Sequence, residues 1–328
     1  MDLPNSTYKT LKAFLYNHTR AKYVNPEVSP SHLRIADKKC NVYGGSYIIP
    51  EESYAEFYAL YYDHVFVKHN KEYITEPQLD NGAIVIDLDF SYDHSICERQ
   101  HDKGYILDFV ILCSDALLEC FEFSDKQSFT ITVLEKPHIN QLEDGSKTKD
   151  GVHIYIDLLA DSTIKKLMRC RILDAIEKDR TTDEIFKLPF MEGHTWDKVV
   201  DYGISVGTTA WQLLGSSKPG NEAYELSSMY KCTYNAPECM FAMEETSIHI
   251  FNIGRDLFKL SARNNTHASP QIHPNINSEY ETAKKTGIAR KNARTKNRSN
   301  VTLLPDEEDL SENFSESFSN KPIIPLNE

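Results

Sequence analysis

An α+β domain is the fold class this sequence predicts, and three observations carry it. Segments with strand-like and helix-like apolar periods are mixed along residues 1–260 without a fixed order. Hydrophobic residues make up 40% and aromatics 11% of 328 residues, which is enough for one large core or two ordinary ones. No internal repeat of the solenoid kind is present. In chain order, Glu51 to Phe66 carries Tyr54, Phe57, Tyr58, Tyr61 and Tyr62 at helical spacing, a helix whose aromatic stripe faces the core. Ala83 to Phe90, apolar except for Asp87 and Asp89, reads as a strand. Tyr105 to Phe121 reads as a helix, Ser128 to Leu134 and Val152 to Leu158 as strands, and Ser162 to Lys178 as a helix. Ala210 to Leu214 and Ala223 to Met229 read as strands on either side of a turn, Ser217-Lys218-Pro219-Gly220.

Charge and cysteine content narrow the function classes. Lys+Arg number 36 and Asp+Glu 49, a net charge of −13 that excludes binding of nucleic acid by a broad basic coat. From Ser261 onward, nine basic residues balance nine acidic ones, so residues 1–260 carry the whole excess. The tail is segregated: Lys284 to Arg298 has seven basic residues and no acid, and Asp306 to Glu316 has six acids and no base. Its Asn, Ser, Thr, Lys and Glu composition predicts a boundary at 260/261, with 1–260 a folded domain and 261–328 a disordered charged tail or linker. Seven scattered cysteines without a Cys-x-x-Cys read as reduced thiols of an intracellular protein. No run of about 18 apolar residues and no signal-peptide layout is present, so no membrane partner is expected.

Three stretches carry candidate chemistry. In Ile84-Val85-Ile86-Asp87-Leu88-Asp89-Phe90, strand alternation puts Ile84, Ile86, Leu88 and Phe90 on one face and Asp87 with Asp89 on the other. Two carboxylates so placed can converge on one or two hard divalent cations; a chance Asp-x-Asp is the plain alternative. In Lys149-Asp150-Gly151-Val152-His153, Lys149 and His153 share a face and Gly151 permits close approach of a ligand to the backbone. That set suits nucleotide phosphates, although an ordinary histidine beside a glycine is the commoner case. The third stretch is Val199-Val200-Asp201, followed by Gly215-Ser216-Ser217-Lys218-Pro219-Gly220. Asp201 could complete a three-carboxylate site, and the Ser217-Lys218 turn suits an anion, or is simply a hairpin turn.

In order, these stretches resemble the three motifs of the archaeo-eukaryotic primase superfamily: an apolar strand with Asp-x-Asp, a second strand with Ser/Gly-x-His, and an apolar-Asp motif with a following Ser-Lys. The likeness runs from about Arg34 to Tyr230 and is nearest to the N-terminal primase domain of giant-virus, poxvirus-type primase-helicases, with PrimPol more distant. It implies an antiparallel, RRM-like catalytic sheet with an additional N-terminal α/β unit. It also implies a nucleotidyltransferase, a primase or primase-polymerase, acting on single-stranded DNA with NTPs or dNTPs and Mg²⁺ or Mn²⁺ during intracellular viral DNA replication. Asp87, Asp89 and Asp201 would hold the metals; Lys149, Gly151, His153, Ser217 and Lys218 would hold the nucleotide. A helicase module in cis or in trans is the expected partner. Gly151 stands where many members have Ser, and Trp211-Gln212 where many have Arg. No zinc is expected, because Cys232, Cys239 and His249 lack a fourth ligand and regular spacing. A catalytically inactive primase-like binding module and a metal-dependent nuclease are the rival readings.

Overall fold

The structure, a computed structural model, describes residues 7–22, 28–179 and 185–298; the acidic run Asp306 to Glu316 lies outside them. The chain divides into two units, Met1–Thr282 and Ala283–Glu328. In chain order the elements are α1 (Leu11–Asn17), β1 (His32–Arg34), β2 (Gly45–Tyr47), α2 (Tyr54–Tyr62), β3 (Ile74–Glu76), β4 (Asn81–Tyr92), α3 (Lys103–Cys120), β5 (Phe121–Glu122) and β6 (Ser128–Glu135). There follow β7 (Asn140–Gln141), β8 (Thr148–Asp161), α4 (Ser162–Asp179), α5 (Trp196–Val199), α6 (Tyr202–Ser205), β9 (Trp211–Gln212), β10 (Glu225–Asn235), β11 (Met240–Thr246), α7 (Ile253–Asp256), β12 (Gln271–Ile272) and α8 (Asn277–Arg298).

The expected α+β class and antiparallel sheet are what the chain forms. The main sheet runs β11-β10-β6-β8-β4, with β7 paired to β8, and every pairing is antiparallel. A second antiparallel sheet, β2-β1-β3-β9, belongs to the N-terminal α/β unit. Strand alternation divides the work of the main sheet. Ile84, Ile86, Leu88 and Phe90 of β4 and Val152, Ile154, Ile156 and Leu158 of β8 are all buried and share one face. There Ile84 and Ile86 meet Met168 and Ile172 of α4, and Phe90 meets Trp196 of α5, which stacks on Phe109 of α3. On the opposite face Val85, Leu134 and Tyr155 join a core with Leu11, Phe14, Phe57, Tyr61 and Trp211, so the N-terminal unit covers one end of that face.

Four of the five aromatics in the α2 stripe are core, Phe57 and Tyr61 fully buried and Tyr54 and Tyr58 nearly so, while Tyr62 is only partly buried. The helical stretch extends as a short π-turn over Asp63–Val67. Two expectations are corrected. The strands flanking the Ser217–Gly220 turn do not share a sheet, since β9 pairs with β3 and β10 with β6. The segment 213–224 therefore crosses from one sheet to the other, and the first of the two strands is only Trp211–Gln212.

The composition break at 260/261 also falls inside the first unit. Ser261, Ala262 and Asn264 are buried, because Glu76 of β3 needs partners there: Ser261 Oγ donates to Glu76 Oε1 at 2.8 Å and Ala262 N–H to Oε2 at 2.9 Å. Further on, β12 pairs with β5, and Tyr280 Oη donates to Asp161 Oδ2 at 2.6 Å. The basic run Lys284 to Arg298 lies within α8. Among the described residues, no helix is long and apolar enough to cross a membrane.

Candidate active site

The site face of the main sheet is set by register. Across β4 and β8, Asp87 stands opposite His153, Asp89 opposite Gly151 and Ser91 opposite Lys149. Parity adds the third strand: Leu134 is opposite His153, so Lys136, two residues on, continues the same face just past the end of β6. The two carboxylates thus face a row made of Lys149, Gly151 and His153, with Lys136 behind it.

His153 is held tightly. Its ring stacks on Tyr224 with centroids 3.5 Å apart and lies 4.3 Å from the Trp211 ring. Its Nε2 is 3.5 Å from Asp87 Oδ1, close but not aligned as a hydrogen bond. Asp87 Oδ1 is therefore buried without a hydrogen-bond donor among the described residues. Burial acts to raise the Asp87 carboxyl, but the His153 ring, then Lys218 and Lys136, hold it below its ordinary value. The negative charge on Asp87, reinforced by burial, pushes the Asp89 carboxyl up, against the pull of Lys218, Lys149 and Lys136. A buried acceptor with no donor and a like-charged neighbour form a site that a divalent cation would relieve on both counts, so this pair fits such an ion.

The third predicted carboxylate is placed differently. Asp201 N–H donates to the Asp87 carbonyl at 2.9 Å, and Leu88 and Val200 form a β-bridge, which pins the third motif beside the first. Yet Asp201 Oδ1 caps α6, accepting from Ile204 N–H at 2.6 Å. Among the described residues, no three His, Cys, Asp or Glu side chains gather as a metal-holding group. The structure brings Asp87, Asp89, Lys149, Gly151, His153 and Lys218 together and leaves the Asp201 carboxylate on its helix cap. Ser217 is buried, its N–H donating to the Glu72 carbonyl at 3.0 Å, whereas Lys218 is exposed on the crossover.

Four further residues belong to the site. Lys136 lies with Nζ 5.2 Å from the Tyr224 ring centroid; burial lowers its ammonium against the pull of Asp89 and Asp87. Tyr224 enters from the crossover. His194 Nε2 is 2.9 Å from the Asp89 carbonyl; burial lowers its ring, as do Lys198, Lys147 and Lys149 to a smaller extent. Arg99 works from the opposite face: it clasps the buried Asp150 carboxylate with Nε at 2.9 Å and Nη2 at 3.1 Å, and donates from Nη2 to the Lys136 carbonyl at 2.6 Å. One guanidinium thus ties the strand that carries Lys149 and Gly151 to the residue that carries the Lys136 side chain. Strand parity would have flagged Lys136, but no local pattern points to Tyr224, Arg99 or His194.

Comparison with known proteins places the chain in a family. The family model described as the C962R protein N-terminal AEP domain, AEP being the archaeo-eukaryotic primase superfamily, matches residues 37–230, more than half of the chain. The chain belongs to that family. The matched span of the AEP domain runs from before β2 to within β10 and includes every site residue named above. A relative of this AEP chain, the "Putative helicase L207/L206" of Acanthamoeba polyphaga mimivirus, is 27% identical over 223 residues. That match covers 66% of this chain and 21% of the mimivirus protein, so the chain spans about a fifth of that relative.

Proposed function

We propose that this AEP domain is a DNA primase or primase-polymerase that makes primers on a single-stranded template by metal-dependent nucleotidyl transfer in viral DNA replication. The observation that carries the reading is the single sheet face on which Asp87 and Asp89 oppose Lys149, Gly151 and His153, with Lys136 and Lys218 beside them. Mg²⁺ or Mn²⁺ held by Asp87 and Asp89 would supply charge neutralisation at the transferring phosphate and acidify a 3′-hydroxyl. The chain's own residues do the rest. Lys149 and Lys218 attract the triphosphate, and Lys136 adds a less hydrated cation from a more buried position. His153, fixed between Tyr224 and Trp211, presents one ring edge and so acts with little loss of side-chain freedom on binding. The apolar back face makes the platform rigid.

The 27% identical mimivirus relative bears a helicase name, and this supports a helicase module as partner, in cis or in trans. The test is template-directed synthesis by Asp87→Ala/Asp89→Ala with Mg²⁺ or Mn²⁺. The double variant is expected to lose all synthesis while keeping its circular dichroism spectrum, and undiminished synthesis overturns the assignment. A second reading, a nucleotide- or nucleic-acid-binding module without catalysis, draws on the Asp201 carboxylate being engaged at Ile204 N–H. Metal-dependent nucleotide binding without any synthesis by the unaltered chain would favour it.

A further inference from the structure

Position 151 is a glycine for a reason that the β8 strand alone does not supply. Its conformation is ordinary extended strand, yet a Cβ built there would lie 2.5 Å from Tyr224 Oη, 3.4 Å from Tyr224 Cζ and 3.5 Å from the Leu88 carbonyl. The space over Gly151 is therefore filled by one atom, the hydroxyl of a residue 73 positions later that arrives on the crossover between the two sheets. That hydroxyl lies over the row running from Lys149 to His153, and Gly151 beneath it is opposite Asp89. The Tyr224 ring is fixed by its stack on His153 and by Lys136 Nζ above it, so the hydroxyl is aimed before any ligand arrives. Burial, with the charges of Asp87, Asp89 and Asp150, pushes the phenol well above its ordinary value, so it remains an O–H donor at neutral pH.

We propose that Tyr224 is a nucleotide-binding residue, its hydroxyl taking over Gly151 the place of a side-chain hydroxyl at position 151 and donating to the phosphates of a nucleoside triphosphate. This rests on the primase reading of the same face and names one more contact in it. A donor between an ammonium and an imidazole extends the row that faces the carboxylates, and a polyphosphate offers acceptors along that whole length. The hydroxyl belongs to the ligand site because it lies among the groups that converge there, with the carboxylates across from it.

The geometry allows the hydroxyl to be handed from one residue to the other. Tyr224→Phe removes only Oη and leaves the ring stacked on His153. Gly151→Ser alone forces Cβ into Oη and displaces Tyr224. In Gly151→Ser/Tyr224→Phe the Cβ meets ring carbon at an ordinary 3.4 Å, and Ser brings a hydroxyl into the vacated volume. The measurement is calorimetric binding of ATP and dATP to the full chain with Mn²⁺ present. Tyr224→Phe is expected to weaken binding about tenfold, as loss of one hydrogen bond to a charged group does. Gly151→Ser should weaken it at least as much, and the double variant should return to within about threefold of the unaltered chain. Unchanged affinity in Tyr224→Phe, or a double variant no better than Gly151→Ser, overturns the assignment of the hydroxyl alone. Failure of the unaltered chain to bind either nucleotide overturns the primase reading, and this contact with it.

Discussion

Asp89→Asn should make the protein more stable without metal and indifferent to metal when it is added. Asp87 and Asp89 are two residues apart on β4, which sets their Cα atoms roughly 6.5–7 Å apart. Two unit charges at ~7 Å in an effective dielectric of ~20 repel by about 2 kcal/mol. Because Asp89 is half-buried rather than enclosed, solvent screening reduces this to about 1–2 kcal/mol. The direction agrees with the raised Asp89 carboxyl, whose largest cause is the charge on Asp87. Asparagine keeps the shape and removes the repulsion. In chelator, Asp89→Asn should therefore melt about 2–4 °C above the unaltered protein, given the size of the folded unit. With Mn²⁺ at a hundredfold excess over its dissociation constant, the unaltered protein should gain about 2.7 kcal/mol and the variant far less, so that their order reverses. Differential scanning calorimetry in chelator and in Mn²⁺ reads both effects. An Asp89→Asn protein that melts at or below the unaltered one in chelator, or that gains equally from Mn²⁺, refutes the account of a strained carboxylate pair awaiting a cation.

Three further outcomes follow from named contacts. Glu76 is fully buried, and although burial acts to raise it, the His32 ring 3.3 Å away and the hydrogen bonds from Tyr58 and Ser261 hold it below the ordinary 4.5. A lowered folded-state value means that its stabilisation is complete above about 4.5 and is lost as pH falls through the folded value; urea melts should show that acid limb, and Glu76→Gln should flatten it while destabilising the protein by about 3 kcal/mol at pH 7. Arg99→Ala leaves the enclosed Asp150 carboxylate without its guanidinium and should reduce unfolding free energy by about 3–5 kcal/mol in denaturant melts, whereas breaking an exposed pair such as Lys103–Glu245 should leave the melt nearly unchanged. Asp201→Asn keeps a good helix cap and should melt within about 0.5 kcal/mol of the unaltered protein, while Asp201→Ala loses about 1 kcal/mol; a metal-binding role shows as loss of the Mn²⁺-dependent Tm gain in both variants, a capping role as retention of it in both.

Much of the fold was legible because strand β4 places its two acids on one face. Ile84 to Phe90 reads as one apolar face and one acidic face, and the register with β8 then brings His153 and Gly151 opposite Asp87 and Asp89. What local pattern could not show was partnership across distance. Ala210 to Leu214 and Ala223 to Met229 look like the arms of a hairpin, but β9 finds its partner in β3. Ser261 to Asn264 looks like the beginning of a polar tail, yet its hydroxyl and N–H groups are buried because a distant carboxylate requires them. Tyr224 and Arg99 were invisible for the same reason, as each acts on residues more than 35 positions away. Asp201 was legible as a chemistry-bearing acid beside an apolar pair, but its engagement as a cap depends on where α6 begins, a boundary that the sequence does not mark sharply.

The Glu76 cluster also sets an order of events on the ribosome. Glu76 leaves the exit tunnel 185 residues ahead of Ser261, and Tyr58, which shares the same hydrogen bonds, 203 residues ahead. At a synthesis rate of about 5–20 residues per second, the nascent chain carries that carboxylate for roughly 10–40 s before Ser261 and Ala262 can reach it. Until then two of its four partner groups are missing, and Phe258, which packs against Tyr54 and Tyr58, is made only three residues ahead of Ser261. The N-terminal sheet, although three of its four strands are translated first, is therefore among the last parts of the molecule to be finished.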